Sequence, residues 1–145
     1  MAADSPSLAL LVDRQAIRDL VTRYACAVDR RDFDTVAACF TPDADTDYTF
    51  FKGPIAEVLE KIRAGVGGFA MTMHVLGNHL AEVRRDEASS ETYAVCYHRR
   101  PGVADGAQLV VAMRYLDDLV RTPAGWRIKR RHATVEWQQS APPRP

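Results

Sequence analysis

The sequence predicts an α+β fold, with helices in the first half of the chain and an antiparallel sheet in the second. Up to Gly68, apolar residues recur at the three- and four-residue steps of amphipathic helices. After Gly68, long segments rich in Val, Tyr, Thr, Met and Trp are separated by RRDEAS, RPGVADG and RTPAG, which are typical of hairpin turns. Helices followed by consecutive antiparallel strands favour an architecture in which the helices pack on one face of a curved sheet.

The first predicted helix extends from about Val12 to Val28. Its core-facing stripe consists of Ala16, Ile17, Leu20, Val21, Tyr24 and Val28. Asp32 is placed to cap a short second helix, because an Asp side chain accepts hydrogen bonds from the free N–H groups of a first turn. A third helix is expected to begin at Gly53-Pro54, since proline is well tolerated at the first helical position, and to end in the glycine-rich stretch 65–68.

The remaining segments complete one domain. TPDAD (41–45) is predicted to be a turn, and 45–51 a short strand. Four longer strands are predicted at about 71–84, 90–100, 107–121 and 125–138. A single domain over 11–138 therefore follows an N-terminal arm (1–10) and precedes a tail (139–145) that is expected to be disordered.

The composition excludes several classes of partner. Nineteen basic and nineteen acidic residues cancel, which gives no general attraction to nucleic acid or anionic lipid. No apolar run is long enough to span a bilayer, and the N-terminus lacks the features of a signal peptide. The cysteines Cys26, Cys39 and Cys96 are odd in number and widely spaced, which indicates free thiols. We therefore expect a cytoplasmic protein that binds a small hydrophobic molecule, and neither nucleic acid nor a membrane.

The sequence predicts no metal or cofactor site. Asp43, Asp45 and Asp47 lack the glycine and glutamate of a calcium loop, and the chain has no glycine-rich phosphate loop. Strand alternation places His74 and His79 on opposite faces, so they are not expected to share a metal. The prediction is a protein without a metal or a cofactor.

Asp29 and His74 are the strongest candidates for chemistry. His74 lies in MTMHVLGNHLAEV (71–83), a strand that should otherwise fill a core. Asp29 ends the first helix, where the helix dipole disfavours an anion, so its carboxylate needs a partner such as an imidazole. In the next strand, small residues such as Cys96 share a face with His98 and would leave space for a pocket.

Three segments of the sequence resemble a known family. The segment DRQAIRDLVTRYACAVDRRDFDTVAACFTPDA, the motif TMHVLGNH and the closing strand WRIKRR resemble the NTF2-like superfamily over about 8–138. They are most similar to its SnoaL-like branch, which includes scytalone dehydratase, bile-acid 7α-dehydratases and hexachlorocyclohexane dehydrochlorinase. The more specific parts are Y-x4-D at Tyr24 and Asp29 and T-x-H at Thr72 and His74. The resemblance implies an NTF2-like cone, in which three N-terminal helices pack on a strongly curved, mixed but mainly antiparallel sheet that encloses a pocket.

The resemblance also implies catalytic residues. Asp29 and His74 are similar in position to the Asp–His dyad of these lyases, and Tyr24 to a catalytic tyrosine of the bile-acid enzymes. His98 corresponds to a second histidine of scytalone dehydratase, and Arg131 to an arginine that assists the leaving group in several relatives.

Arg131 reaches the predicted pocket under one condition. Simple alternation puts Trp126 and Ile128 on the same face as Arg130, so Arg131 faces the pocket only if a β-bulge intervenes.

Structural roles compete with the catalytic ones. His74 and Tyr24 could be hydrogen-bonded core residues, and His79 is expected at an interface or on the surface. His98 lies in YHRR, which could also be a strand end that runs into solvent.

The dyad favours a cofactor-independent lyase that performs a dehydratase-type elimination on a hydrophobic cyclic, aromatic or steroid-like substrate. His74 would be the general base, Asp29 would fix its tautomer, and Tyr24, His98 and Arg131 would donate hydrogen bonds. The predicted substrate-binding residues are Phe50, Phe51, Phe69, Leu76, Asn78, Cys96 and Met113. The alternatives are an isomerase or polyketide-type cyclase with the same base, and a non-catalytic small-molecule-binding or dioxygenase small-subunit-like module.

The strands also predict self-association. Both faces of the 71–84 strand are largely apolar, so a second molecule is expected to cover the outer one. The residues of this face are Met73, Val75, Tyr93, Val95 and Tyr97. We therefore expect a homodimer or a homotrimer.

Overall fold

Three helices and six strands form the part of the chain that the computed structural model describes, residues 7–103 and 108–140. The helices are α1 (Leu8–Arg30), α2 (Phe33–Ala38) and α3 (Ile55–Gly67). The strands are β1 (Phe40–Asp47), β2 (Lys52–Pro54), β3 (Met71–Arg84), β4 (Glu87–Arg99), β5 (Leu109–Thr122) and β6 (Gly125–Ser140). This order confirms the predicted α+β class. None of these helices is long and apolar enough to cross a membrane.

All six strands belong to one sheet in the order β2-β1-β6-β5-β4-β3. The β1–β6 pair is parallel and the other neighbours are antiparallel, so the sheet is mixed but mainly antiparallel, as the resemblance implies. The long strands β3, β5 and β6 contain irregularities in their pairing, and such bulges bend and twist a sheet.

The core lies between the helices and the inner face of the sheet. The predicted stripe of α1 is buried, including Ile17, Leu20, Val21 and Val28, and α1 packs on β3. Each fully buried aliphatic side chain of this kind contributes about 1.5–3 kcal/mol relative to an exposed one. The predicted cap of α2 is confirmed, since the Asp32 carboxylate accepts a hydrogen bond of 3.1 Å from the Thr35 N–H.

The ends of the domain differ from the prediction. Helix α1 begins at Leu8, within the segment 1–10 that was predicted to be an arm, and Ser7 caps it by accepting a hydrogen bond from the Leu10 N–H. Strand β6 continues to Ser140, two residues into the predicted tail. The rest of the arm and tail, 1–6 and 141–145, lies outside the described residues.

The prediction of a turn at TPDAD was wrong. Residues 41–45 belong to β1, which pairs in parallel with β6. Thr41 and Ala44 are buried there, so pairing and burial override the turn preference of Pro and Asp. Of the strand predicted at 45–51, only the first part is extended, because the chain turns after Asp47 through Thr49, whose φ is 69°.

A bulge in β3 reverses the predicted orientation of its second half. Leu76 pairs with Ala94 and His79 with Thr92, so both Gly77 and Asn78 lie opposite one residue of β4. His79 therefore faces the interior, where its Nδ1 lies 2.8 Å from the buried Thr92 hydroxyl. The prediction that His79 points away from the face of His74 was wrong, because one extra residue shifts the alternation by one position.

A second bulge lies in β6, where the sequence required one. Asp118 pairs with Arg130 and Leu119 with Ile128, which leaves Lys129 as the extra residue. Arg131 is consequently buried and Arg130 is exposed, where it forms an ion pair with Asp118. The condition under which Arg131 turns inward is thus met.

Candidate active site

The C-terminal end of α1 and the first half of β3 bring Asp29 and His74 together. The His74 Nδ1 lies 2.6 Å from Asp29 Oδ1, and the His74 backbone N–H donates to Oδ2 at 2.8 Å. The Thr72 hydroxyl donates to Oδ1 at 3.0 Å. These donors compensate the Asp29 carboxylate for its position at the negative end of a helix dipole. The contact that the sequence predicted between the two side chains is present.

The charge states of the pair follow from burial and these hydrogen bonds. Burial disfavours the imidazolium, but the hydrogen bond to Asp29 and the neighbouring Cys96 outweigh it and raise the pKa of His74 to about 9. Burial also opposes ionisation of Asp29, but the hydrogen bonds from His74 and Thr72 outweigh it, and the pKa of Asp29 is lowered. At pH 7 the pair is therefore mainly an imidazolium and a carboxylate. When the His74 imidazolium loses one proton, Nδ1 keeps its hydrogen, which stays hydrogen-bonded to Asp29, and Nε2 becomes the basic atom.

His74 borders a cavity of about 230 Å³ between the helices and the sheet. Several residues predicted to bind substrate line it: Phe50, Phe51, Phe69, Cys96 and Met113. Tyr24 and His98 also line it, so the cavity brings together most of the predicted site. Its wall is mainly apolar, which is typical of a small-molecule site.

Two predicted substrate-binding residues lie elsewhere. Leu76 borders a second cavity, of about 410 Å³, between α1 and β3, together with His79 and Thr92. Asn78 is exposed and lines neither of these two cavities, because the bulge at Gly77 turns it outward. Alternation alone placed both residues beside His74, and the bulge and the position of α1 explain the difference.

A pair of buried tyrosines forms another part of the cavity wall. The Tyr24 and Tyr48 hydroxyls are 2.9 Å apart, and both side chains line the cavity. Burial raises the pKa of Tyr24 well above its ordinary value and also raises that of Tyr48, so both hydroxyls are protonated donors. Sequence reasoning missed Tyr48. The sequence feature that could have indicated it is an aromatic residue directly after β1, a strand that was predicted at 45–51 and lies at Phe40–Asp47.

Arg131 lies behind these tyrosines and does not border the cavity. Its side chain is fully buried, and its Nε and Nη2 each donate to the Asp117 carboxylate at 2.7 Å. The guanidinium carbon lies 4.2 Å from the Tyr24 ring centroid and 4.3 Å from that of Tyr115. Its positive charge partly offsets the effect of burial on the pKa of both Tyr24 and Tyr48. Any influence on a bound molecule would therefore pass through the tyrosines.

His98 is a neutral imidazole at the edge of the same cavity, and it does not donate to the cavity as predicted, because its single N–H is used on the Leu109 carbonyl. Its ring centroid lies 4.7 Å from that of Phe69, and its Nδ1 lies 3.4 Å from the Leu109 carbonyl oxygen, to which it donates. Burial lowers the pKa of His98 below its ordinary value. The predicted pocket position is thus occupied by an uncharged imidazole. Within the described residues, no group of three His, Cys, Asp or Glu side chains is arranged to hold a metal ion.

Comparison with known proteins assigns the fold and the family. The family model of the SnoaL-like domain matches residues 9–132. The chain belongs to the SnoaL-like domain family. This SnoaL-like protein is 36% identical over 137 residues to an uncharacterized protein of Mycobacterium tuberculosis, a match that covers 92% of each chain.

Two solved structures share the architecture. One is a candidate scytalone dehydratase from Novosphingobium aromaticivorans, with 23% identity, a TM-score of 0.79, and coverage of 92% of this chain and 91% of that one. The other is the hexachlorocyclohexane dehydrochlorinase LinA type 2, with 21% identity, a TM-score of 0.75 and coverage of 92% of both chains. At these identities the likeness shows the NTF2-like cone, a scaffold whose members include dehydratases and dehydrochlorinases.

Proposed function

We propose that this SnoaL-like protein is a cofactor-independent lyase that catalyses a dehydratase-type elimination on a small hydrophobic cyclic substrate. The observation that carries the proposal is the Asp29–His74 pair at the wall of an apolar cavity, with a separation of 2.6 Å. An imidazole held by a carboxylate is the usual arrangement of a general base. A cavity of about 230 Å³ favours the smaller members of the cyclic and aromatic class over a steroid.

In the proposed reaction, the neutral His74 removes a proton from the carbon next to the one that bears the hydroxyl group. The C–H electrons form the new double bond, the C–O bond breaks, and the departing hydroxyl takes the proton from the His74 imidazolium, directly or through a tyrosine hydroxyl, so that it leaves as water and the neutral base is regenerated. Asp29 stabilises the imidazolium that forms and keeps Nε2 directed to the cavity.

The Tyr24–Tyr48 pair supports the other half of the reaction. One of the two hydroxyls donates to the other at 2.9 Å, which leaves one hydrogen that can be donated to a departing oxygen or a developing enolate. A preorganised donor of this kind typically lowers a barrier by about 3 kcal/mol. His98, which is neutral and donates its single N–H to the Leu109 carbonyl, offers its Nε2 as an acceptor at the same wall.

Product mass tests the proposal. The wild-type protein and His74→Gln are incubated with a panel of hydroxylated cyclic ketones and phenols, and the products are analysed by mass spectrometry. The expected result is that the substrate loses one water with the wild type and not with His74→Gln. Exhaustive treatment with EDTA should leave the activity of the wild type unchanged. A product of unchanged mass would identify an isomerase or a cyclase instead. Equal turnover by the two proteins would contradict the role of His74.

A further inference from the structure

The Asp29 carboxylate is held by a chain of hydrogen bonds that continues beyond His74. Thr72 donates to Asp29 Oδ1 at 3.0 Å, and Arg31 Nη1 donates to the same Thr72 hydroxyl at 2.6 Å. Because an arginine has only donors, the Thr72 oxygen must be the acceptor in the second contact. Its single hydrogen is then directed to Asp29. The direction of every bond from Arg31 to Asp29 is thereby fixed.

Arg31 is itself anchored at three places in the fold. It follows the last residue of α1 in the left-handed conformation, with a φ of 61°, and its Nη1 also donates to the Asp29 carbonyl at 3.1 Å. Its Nη2 donates to the Val66 carbonyl at 3.0 Å and to the Phe69 carbonyl at 3.2 Å. The planar, multiply donating guanidinium suits such a junction, and the positive charge suits the end of a helix. Arg31 therefore ties the ends of α1 and α3 to the start of β3.

We propose that Thr72 and Arg31 are positioning residues that set the orientation of the Asp29 carboxylate, and through it the basicity of His74. Without the Thr72 hydroxyl, only the backbone N–H and the imidazole of His74 restrain the rotation of the carboxylate. Oδ1 then no longer stays 2.6 Å from Nδ1, and the imidazolium loses part of its stabilisation. The inference rests on the proposed function only in that it concerns the same dyad.

The pKa of His74 is the direct readout. The protein is labelled with ¹⁵N-histidine and the His74 ring is titrated by NMR in the wild type, Thr72→Val and Thr72→Ser. In Thr72→Val, which preserves the shape of the side chain, we expect the pKa to fall from about 9 by about one unit, a tenfold weaker preference for the imidazolium. Thr72→Ser retains the hydroxyl and should keep the wild-type value. Arg31→Lys keeps the charge, loses the planar fork, and should produce a smaller fall.

Thr92→Val is the matched control. Thr92 is a buried threonine of β4 whose hydroxyl contacts His79 of β3, and among the described residues it is not one of the groups that bond Asp29. Its replacement should leave the pKa of His74 unchanged. A purely structural role of Thr72 would lower the melting temperature without moving that pKa. If Thr72→Val fails to fold, Thr72→Ala replaces it in the titration.

Two outcomes would overturn the proposal. An unchanged pKa of His74 in folded Thr72→Val would show that Thr72 does not orient Asp29. A raised pKa would show that the hydroxyl competes with His74 for the carboxylate. Since the titration needs no substrate, it tests the positioning role separately from the lyase activity. Once a substrate is found, kcat should be compared at about pH 10, where His74 is neutral in both proteins: Thr72→Val, with its weaker base, should have a lower kcat with little change in KM, and Thr72→Ser should restore it.

Discussion

His74 and His79 lie on the same strand, both face the interior, and they nevertheless have opposite electrostatic properties. His74 contacts a carboxylate, and its pKa is raised to about 9. His79 contacts the Thr92 hydroxyl, and burial together with the charge of Arg18 lowers its pKa. Burial opposes the charged form of both rings, so the partner at the end of α1 makes the difference. The comparison shows that the partner of a histidine in an apolar strand, rather than its burial, decides whether the ring is charged at pH 7.

The largest effect is expected from replacing each histidine by glutamine. His74→Gln should reduce turnover by about 10²–10⁴-fold while substrate binding is largely retained, because a general base acts in the transition state. His79→Gln should leave turnover within a few-fold of the wild type, since His79, unlike His74, does not line the cavity of about 230 Å³. Steady-state kinetics and a binding titration of both variants make the comparison. Equal losses in the two variants would remove the distinction between the histidines.

The Asp29 partner is expected to matter nearly as much. Asp29→Asn removes the charge that stabilises the imidazolium and can favour the wrong tautomer, so turnover should fall almost as far as in His74→Gln. The double variant should be little worse than either single one, because the two residues act as a unit. Additive losses in the double-mutant cycle would contradict that view. A drop in the pKa of His74 in Asp29→Asn, measured by NMR, should accompany the kinetic loss.

The pH dependence follows from the raised pKa of His74. Only the neutral imidazole can accept a proton, so kcat/KM should rise by roughly tenfold per pH unit up to about pH 9. A rate that stops rising near pH 6.5 would mean that His74 is not the base or that its pKa is ordinary.

Stability should change with pH in the opposite direction. The pKa of His74 in the folded state lies above the ordinary value of 6.5, so the stabilisation is complete below about pH 6.5. It is lost as the pH rises through about 9, and its upper limit is about 3 kcal/mol. The difference in melting temperature between the wild type and His74→Gln should therefore shrink from pH 6 to pH 10. The pKa of His79 is lowered, so its contribution has the reverse sign: the folded state loses stability as the pH falls and this ring has to be protonated.

The smallest effect on the site is expected from a substitution on the outer face of the sheet. Met73 and Val75 flank His74 in β3 but are 51% and 49% exposed, and they pair with Tyr97 and Val95 of β4. We expect this face to form a homodimer or homotrimer, and Met73→Glu to weaken it with little change in the His74 pKa. Light scattering at micromolar concentration makes the measurement. A monomeric wild type would rule out this interface.

Much of the fold could be predicted because periodicity and capping are local signals. The stripe of α1, the Asp32 cap and the long strands all follow from residues close to one another in the sequence. The pairing of Asp29 with His74 was predictable because a carboxylate at a helix C-terminus needs a partner. In β6, two arginines in succession indicated that a bulge would decide which of them is buried.

The remaining features depend on contacts between distant parts of the chain. TPDAD becomes a strand only because β6 is available as a parallel partner. The bulge at Gly77 has no counterpart in the hydrophobic pattern, so the positions of Leu76, Asn78 and His79 were not predictable. The position of the Arg131–Asp117 ion pair behind the tyrosines was also not predictable, because no local pattern links β5 to β6 at that point.

The extra residue in β6 has a consequence for how this gene can change. Deleting the codon of Lys129 would remove the extra residue but leave Ile128 opposite Leu119 and Arg130 opposite Asp118, so that Arg131 would still face inward. Asp117, fully buried opposite Arg131, would keep its aligned partner, whereas replacing Arg131 by an uncharged residue would leave an unpaired buried carboxylate, which is strongly destabilising. Among relatives, loss of Lys129 should therefore be tolerated better than replacement of Arg131, and substitutions of the exposed Lys129 side chain itself should be nearly neutral.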